Sequence, residues 1–356
     1  MRTVVIGATG NVGTALLRRL SQDRPGDSIL AIARRPPSLN PYAEQVDWVP
    51  LDLTGEQASY ELRALCRGAD AVVHLAIAFQ PMRDREYLRA VNVDTVRTVA
   101  TACAEAHVPH LVHLSSGGVY ASGSYGAEVD ETWPRTGVPS STYSMDKAAA
   151  ETLLDEFEAE HPEIAVARIR PGLIGQYEFG SAVLRYGLPD VVPSDVVDRL
   201  PILPIDRSFA VPAVHSDDVA DALLRVLERR ASGPYNLGAP TPVRAVDVAA
   251  ALGARIVPVH RRLLSAAARI GFETHLSAVH HGWVDLAFAT PMLNTDRASR
   301  DLDWSPKVDG PQVAEDVIAG MRDSAGADNG ALRSRTAMDR IRSFGRRGFI
   351  SRAKRP

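Results

Sequence analysis

Residues 4–13 of the chain read VVIGATGNVG, a β-branched run that leads directly into three glycines. Gly7 would make a tight turn, Gly10 would let the backbone approach a pyrophosphate, and Gly13 would let the next helix pack closely on the strand. That helix is predicted by the apolar pattern at Val12–Leu20, and its N-terminal amides and dipole would hold the anion. The stretch therefore predicts a phosphate-binding turn between a first strand and a first helix.

Similar apolar runs recur through the first half of the chain. They are continuous and not alternating, as expected for parallel strands covered on both faces. Helix patterns at Val12–Leu20, Tyr87–Glu105 and Ser144–Glu160 lie between them. This alternation predicts an α/β fold with a doubly wound parallel (Rossmann) sheet. The predicted strands are Thr3–Ile6, Ile29–Ala33, Val46–Leu51, Ala71–Leu75, Leu111–Leu114 and Ala165–Ile169.

The pattern changes after Pro171. Glycine, proline and isolated apolar residues dominate residues 172–212, and regularity returns at residues 210–228, AVPAVHSDDVADALLRVLE, as a short strand and a helix. We predict that residues 1–171, with about 213–237, form the dinucleotide-binding domain. Residues 172–212 and 238–323 would form a smaller, discontinuous C-terminal substrate domain. The remaining residues, 324–356, would form a basic and disordered tail.

Composition limits the class of protein. The 356 residues are 45% hydrophobic and 23% charged, as is usual for a soluble globular protein. No apolar run reaches the roughly 18 residues that a membrane span needs, and the N-terminus reads as strand and turn, not as a signal peptide. With two cysteines, Cys66 and Cys103, we expect no disulfide framework and a cytoplasmic location.

The net charge of −3 conceals an asymmetry between the body and the C-terminus. Residues 331–356 contain nine Lys or Arg and one acid, Asp339. This tail could contact an anionic membrane surface, nucleic acid or the acidic body of the protein, or remain a solvated extension. We expect no specific recognition of nucleic acid.

The end of the second predicted strand should meet the adenosine ribose. Cofactors with a free 2′-hydroxyl usually meet Asp or Glu there, but the sequence AIARRPP offers Ala33, followed by Arg34 and Arg35. Guanidinium groups suit a 2′-phosphate, so the pattern favours NADP over NAD, although a solvated basic turn would look the same. Asp52, after the third strand, is placed to accept from the adenine amino group.

Tyr143 and Lys147 stand four residues apart in YSMDK, which places them one turn apart on one face of a helix. Ser116 closes an apolar run shortly before them. A tyrosine has a pKa of about 10, and lowering it by three units needs about 4 kcal/mol. Lys147 and an oxidised nicotinamide would supply this by stabilising the phenolate. Tyr143 would then exchange a proton with an alcohol or ketone, Ser116 would orient the same oxygen, and Lys147 would anchor the nicotinamide ribose.

Taken together, these motifs resemble the extended short-chain dehydrogenase/reductase family, which includes NAD-dependent epimerases and dehydratases, over roughly residues 2–320. The resemblance rests on GATGNVG, VVHLA, LSSGGVY, YSMDK, RIRPGLIG, VHSDDVA and YNLG. It implies that Ser116, Tyr143 and Lys147 are catalytic, that Asn92 supports the active-site helix, and that this helix helps to form a homodimer. With the positions argued above, the expected cofactor-binding residues are Gly7, Thr9, Gly10, Asn11, Val12, Gly13, Arg34, Arg35, Asp52, Leu53, Leu75, Ala76, Asn92, Tyr143, Lys147 and Pro171.

Departures from the family pattern bear on the substrate. Gly117 and Gly118 stand where 4,6-dehydratases of this kind carry an acidic pair, which disfavours dehydration. Leu173 stands where nucleotide-sugar enzymes often carry Asn, which weakens the hypothesis of a nucleotide-sugar substrate. The leading hypothesis is an NADP(H)-dependent oxidoreductase acting on a small-molecule secondary alcohol or ketone. The alternatives are a nucleotide-sugar epimerase with tightly bound NAD(P) and a non-catalytic NAD(P)-binding sensor.

Several histidines are expected to have structural and not catalytic roles. His275, His280 and His281 lack a third ligand at coherent spacing, so we expect no metal site. His74 ends an apolar strand and is expected to be a satisfied buried residue, and His215 to be structural at a strand-to-helix turn. The series Ala148, Ala149, Leu153 and Phe157 is expected to face the core.

Overall fold

The computed structural model describes residues 1–78, 83–123, 127–187, 197, 200–274, 277, 279–327 and 331–334. Within these residues the strands are β1 Arg2–Ile6, β2 Ser28–Ala33, β3 Val46–Pro50, β4 Ala71–His74, β5 His110–Leu114, β6 Glu128–Val129, β7 Ala165–Pro171, β8 Leu173–Gly175, β9 Ile202–Ile205, β10 Ala210–Val211, β11 Ala213–His215, β12 Gly233–Leu237, β13 Val243–Arg244, β14 Arg255–Pro258 and β15 Met292–Leu293. The helices are α1 Asn11–Asp23, α2 Ala58–Cys66, α3 Arg85–Arg89, α4 Thr95–Glu105, α5 Thr142–Glu160, α6 Gly180–Gly187, α7 Ser216–Arg229, α8 Ala245–Leu252, α9 Arg261–Glu273, α10 His281–Ala289, α11 Asp296–Leu302 and α12 Gly310–Arg322. A π-helical segment covers Ala90–Asp94, and 3₁₀ turns cover Gly117–Val119 and Tyr177–Phe179.

A seven-stranded parallel sheet forms the centre of the described chain, in the order β12-β7-β5-β4-β1-β2-β3. The chain runs outward from β1 to β3, then returns to β4 on the other side of β1. The order therefore reverses between β1 and β4, and ligands of such sheets bind in the crevice outside the carboxyl ends at this point. The predicted α/β, doubly wound parallel sheet is confirmed.

The strand residues divide between two hydrophobic cores, one on each face of the sheet. Val5 lies in the core shared with α1 and α7, whereas Val4 and Ile6 lie in the core shared with α2, α4 and α5. Because the sheet is covered on both faces, every residue from Val4 to Ile6 is no more than 1% exposed. Leu153 and Phe157 of α5 belong to the second core, as predicted, and Ala148 is also buried, while Ala149 is half-buried.

The predicted helix Tyr87–Glu105 is interrupted. It consists of α3, the π-helical segment and α4. Asn92 lies within the π-helical segment, where its side chain accepts a hydrogen bond from the amide of Ala78 (2.9 Å) and donates to the carbonyl of the same residue (3.1 Å). Single π-helical turns are common at functional sites. Here the turn ties the helix to the loop after β4.

The smaller set of elements packs beyond the carboxyl edge of the sheet. β8 pairs with β11, β9 with β14 and β10 with β13. Val211, Val243 and Val313 share a separate hydrophobic cluster. The predicted strand and helix after residue 210 are therefore β11 and α7, but β11 pairs with β8 and not with the main sheet.

Two observations bear on the predicted domain limits. Ala298, Leu302 and Trp304 fall in the range predicted for the substrate domain, yet they are buried in the core shared with α1 and α7. The Trp304 indole donates to the carbonyl of Asp218 (2.9 Å), which fixes this segment to α7.

The second observation concerns the start of the predicted tail. Leu332 is 2% exposed, and Arg185 of α6 donates to the carbonyl of Ala331 (2.5 Å), so residues 331–334 belong to the folded body. Residues 328–330 and 335–356, and with them most of the predicted tail, lie outside the described residues. Among the helices that are described, none has the length and apolarity needed to cross a membrane.

Candidate active site

The turn after β1 has the geometry that its glycines predict. Gly7 has φ +82°, and a Cβ there would lie 2.6 Å from the amide nitrogen of Ala76. A Cβ on Gly13 would lie 2.5 Å from the carbonyl oxygen of Gly7. Gly10 caps α1 without a side chain, and the first turn of α1 has no acidic residue. The amides at this helix end are therefore suited to an anion, and the cradle fits the pyrophosphate of a dinucleotide.

A cavity of about 420 Å³ runs from this turn along the carboxyl ends of the strands to α5. Arg35 and Asn92 are not among its lining residues. Asn92 lies outside the cavity lining and supports it. Its side chain is hydrogen-bonded to the backbone of Ala78 and lies 3.5 Å from the carboxylate of Asp146 on α5. The predicted residues that do line the cavity are Gly7, Thr9, Gly10, Asn11, Val12, Gly13, Arg34, Asp52, Leu53, Leu75, Ala76, Ser116, Tyr143, Lys147 and Pro171.

One end of the cavity lies beside β2 and β3. Ala33 occupies the position at the end of β2 where an acid would meet a ribose. Arg34 lines the cavity and donates to the hydroxyl of Tyr87 (2.6 Å), a contact that the sequence did not reveal. Asp52 accepts from the amide (3.0 Å) and hydroxyl (2.8 Å) of Thr54. This end therefore presents one guanidinium and one carboxylate.

At the other end, α5 is bonded directly to the turn that carries Ser116. Ser144 of α5 donates to the carbonyl of Gly118 and accepts from the amide of Val138 (2.7 Å). Ser116 accepts from the amide of Gly118 (3.0 Å) and is hydrogen-bonded to Tyr143. The predicted catalytic serine and tyrosine are thus brought together.

Burial governs the protonation of Tyr143 in this chain. Burial raises the pKa of Tyr143 to about 12, although the hydrogen bond with Ser116 lowers it. The Lys147 ammonium donates to the carbonyl of Leu114 (2.6 Å). The side chains of this chain therefore keep Tyr143 protonated, because burial outweighs the hydrogen bond with Ser116. Stabilisation of the phenolate by Lys147 together with an oxidised nicotinamide stays a prediction.

Lys147 is itself 4% exposed. Burial lowers the pKa of Lys147 to about 8, although the charges of Glu151 and Asp146 raise it. Glu151 is fully buried one turn further along α5. Its carboxylate accepts from Ser115 (2.5 Å) and from two nitrogens of Arg170 (2.9 and 2.5 Å). Sequence reasoning missed Glu151, although its place four residues after Lys147 was a usable signal.

Two buried imidazoles lie near Lys147. The Nδ1 atoms of His74 and His113 are 3.3 Å apart, and both Nε2 atoms are buried without a partner among the described residues. Burial, and then the Lys147 charge, lowers the pKa of His74 to about 3 and that of His113 well below its usual value. His74 is buried as predicted, but its ring is only partly satisfied.

The remaining predicted histidines have structural roles where they are described. His215 caps α7 by accepting from the amide of Asp217 (3.2 Å), as expected. His280 caps α10 in the same way, with the amide of Gly282 (3.1 Å). The ring of His281 lies 4.0 Å from that of His280, centroid to centroid, with a tilt of 39°, and His275 lies outside the described residues. Among the described side chains, no group of three His, Cys, Asp or Glu is placed to hold a metal ion.

One wall of the cavity near Tyr143 is formed largely by the α10 segment, which is distant in sequence. The ring of Trp283 lies 5.0 Å from the ring of Tyr143, centroid to centroid, with a tilt of 31°. We call this surface the substrate wall. It comprises Leu173, Phe209, Trp283, Leu286, Ala287 and Thr290. Apart from Leu173, sequence reasoning did not single out these residues, because nothing local in HGWVDLAFA shows that it meets Tyr143.

Comparison with known proteins agrees with this geometry. The model of the NAD dependent epimerase/dehydratase family matches residues 3–238. Ketoreductase sphI of Aspergillus fumigatus is 27% identical over 263 residues, covering 63% of this chain and 74% of the relative.

A longer match is the 4-hydroxy-2-methyl-3-oxo-4-farnesyl-3,4-dihydroquinoline-1-oxide ketoreductase of Stigmatella aurantiaca, 26% identical over 347 residues, covering 93% of this chain and 99% of the relative. Among solved structures, MoeE5 in complex with UDP-glucuronic acid and NAD has a TM-score of 0.68 at 20% identity, covering 91% of this chain and 100% of that one. UDP-glucose-4-epimerase from Stenotrophomonas maltophila, with bound NAD, also has a TM-score of 0.68, at 19% identity, covering 91% and 98%. At these identities the structural likeness establishes the fold.

Proposed function

Since the chain belongs to the NAD dependent epimerase/dehydratase family, we propose that this NAD(P)-dependent enzyme is a reductase that uses NADPH to convert a ketone to a secondary alcohol. One observation carries the proposal. Ser116, Tyr143 and Lys147 line the same cavity as the glycine cradle, and Tyr143 is a protonated phenol. Two relatives with similar sequences are named ketoreductases, which supports this direction of reaction.

When bound, the reduced dinucleotide supplies the hydride. The hydroxyls of Ser116 and Tyr143 would hold the ketone oxygen, and Tyr143 would donate its proton to that oxygen as the carbon is reduced. A phenol with a pKa of about 12 is protonated throughout the neutral range, so it starts in the form that reduction needs. Lys147 would hold the nicotinamide ribose and, being charged at neutral pH, would stabilise the phenolate that remains.

The preference for NADP rests on the other end of the cavity. Arg34 lines it, and the described residues at the end of β2 offer no acid to a ribose hydroxyl. A guanidinium at this position suits the 2′-phosphate of NADP. Arg35 is exposed and does not line the cavity, so Arg34 would carry the preference.

A nucleotide-sugar epimerase is the main alternative, because it needs the same three residues. Leu173, at the position where nucleotide-sugar enzymes often carry Asn, makes the epimerase the weaker candidate. A sensor without turnover has no need of an assembled serine, tyrosine and lysine.

Net consumption of NADPH separates these functions. We expect the purified protein to reduce simple aryl ketones with loss of absorbance at 340 nm, and Tyr143→Phe to lower the rate about 100-fold or more. Tyr177→Phe is the matched control, because Tyr177 is 41% exposed and bonds Asp323 away from the cavity. Unchanged turnover in Tyr143→Phe, or interconversion of UDP-glucose and UDP-galactose without net NADPH loss, would refute the proposal.

A further inference from the structure

The substrate wall is rigidly placed against the catalytic tyrosine. A Cβ on Gly282 would lie 2.9 Å from the Cα of Ser141, so the first turn of α10 packs directly on the backbone that opens α5. His280 caps the same turn. Further along α10, Leu286 and Phe288 are both 7% exposed. Trp283 is therefore held in a fixed position beside Tyr143, and its ring offers a flat apolar surface next to the reacting phenol.

Gly118, in the turn that carries Ser116, also lies close to Tyr143 and α10. A Cβ on Gly118 would lie 3.4 Å from Cε1 of Tyr143 and 3.6 Å from Cδ1 of Leu286. The glycine therefore leaves a narrow space between the serine turn, the tyrosine ring and α10. A larger side chain at this position would therefore fill space beside Ser116 and Tyr143, and glycine leaves that space open.

In the described lining, charge is confined to the far end and to Lys147. Among the described residues, the charged side chains that line the cavity are Arg34, Asp52 and Lys147. Arg34 and Asp52 lie beside β2 and β3, and Lys147 is engaged with the carbonyl of Leu114. In the substrate wall, Thr290 is the polar member, and its hydroxyl donates to the carbonyl of Leu286 (2.8 Å). A diphosphate or carboxylate against this wall would lose its hydration and would find no cationic partner among the described residues that form the wall.

We propose that the ketone is uncharged and largely apolar, with a flat ring that lies against Trp283 and a carbonyl directed at Ser116 and Tyr143. This inference rests on the proposed reductase function. The carbonyl carbon gains the hydride of NADPH, the oxygen gains the proton of Tyr143, and the products are a secondary alcohol and NADP⁺. Solvent returns the proton to Tyr143.

A matched pair of ketones tests the charge of the substrate. Acetylnaphthalene and acetylnaphthoic acid share one ring system and differ by a carboxylate. With the full-length protein and NADPH, we expect kcat/KM for acetylnaphthalene to exceed that for the acid by about 100-fold or more, because the carboxylate would be desolvated without a partner. Similar values for the two ketones, or a preference for the acid, would overturn the inference and leave the reductase function standing.

A second measurement tests the role of Trp283. We expect Trp283→Ala to lower kcat/KM for acetylnaphthalene about 10-fold to 100-fold, mainly through KM, and Trp283→Phe to retain most of it. Trp133→Ala is the control, since Trp133 is 38% exposed and outside the cavity lining. NADPH binding, followed by its fluorescence, should be the same in all variants and would show that they are folded. An equal loss in Trp283→Ala and Trp133→Ala would refute the assigned role.

Binding separates the inference from the reductase function. In calorimetric titrations with NADP⁺ present, we expect acetylnaphthalene to bind the wild type and to bind Trp283→Ala more weakly. Binding of this kind without turnover of either ketone would refute the reductase function and support an apolar ligand site. Absence of both binding and turnover would refute both proposals.

Discussion

Glu151 lies one helical turn beyond Lys147 on α5, and its buried carboxylate raises the pKa of the lysine that burial lowers. The same carboxylate is held by Arg170 and Ser115. Burial alone would raise the pKa of Glu151, but the hydrogen bonds from Arg170 and Ser115 hold it below its usual value. Glu151 is therefore charged at neutral pH and helps to keep Lys147 charged near the reacting end of the cavity.

Glu151→Gln should move the pH profile of ketone reduction. The pKa of Lys147 is about 8, so we expect the rate of the wild type to fall as the pH rises through that value. Without the carboxylate, the pKa of Lys147 is lower still, and the fall should begin at lower pH. The measurement is kcat/KM for a ketone as a function of pH. Removing one member of a buried ion pair should also cost about 3–5 kcal/mol of unfolding free energy.

Glu156→Gln is the control for this change, because Glu156 is exposed on the same helix. It should leave both the pH profile and the stability close to those of the wild type. A loss of stability in Glu151→Gln without any shift of the profile would mean that Glu151 is purely structural.

The pair of His74 and His113 should make the fold sensitive to acid. Both pKa values are lowered in the folded state, that of His74 from 6.5 to about 3. As the pH falls below about 6.5, the unfolded chain binds protons that the folded chain cannot, so stability is lost. The slope of the unfolding free energy against pH should approach about 1.4 kcal/mol per pH unit for each histidine. Urea unfolding between pH 7 and pH 4 should show a shallower slope in His74→Asn than in the wild type or in the surface variant His161→Gln. An unchanged slope would contradict the assignment.

Cofactor preference should depend on Arg34 and not on its neighbour. Arg34→Ala should raise KM for NADPH about 10-fold or more while leaving KM for NADH nearly unchanged, since a charge-assisted contact to the 2′-phosphate is lost. Arg35→Ala should have little effect, because Arg35 does not line the cavity. Equal effects of the two substitutions on the ratio of the KM values would show that a diffuse basic turn, and not one guanidinium, sets the preference.

Elements whose formation depends on one short segment could be predicted from the local sequence. The six predicted strands were found within two residues of their limits, because continuous apolar runs such as Val4–Ile6 need cover on both faces. Strand β12 was not predicted, since GPYNL has no apolar run and is ordered by pairing with β7. The π-helical segment depends on the contact of Asn92 with Ala78. Trp283 reaches Tyr143 only through tertiary packing, so the grouping of Ser116, Tyr143 and Lys147 in one cavity was predictable and most of the substrate wall was not.

Gly7→Ala should abolish dinucleotide binding. Two effects could contribute, backbone strain at positive φ and steric overlap of the added Cβ, and Gly68→Ala separates them. Both glycines have positive φ, +82° and +71°, so alanine would be strained at either position. At Gly68 a Cβ would meet nothing within 4 Å, whereas at Gly7 it would lie 2.6 Å from the amide nitrogen of Ala76. Gly68→Ala should therefore cost about 1 kcal/mol of unfolding free energy and leave NADPH binding intact. Gly7→Ala should cost more, because β1 or the loop after β4 must move, and that movement closes the cradle. Denaturant unfolding and NADPH fluorescence measure the two effects, and normal NADPH binding by Gly7→Ala would show that the turn does not hold the pyrophosphate.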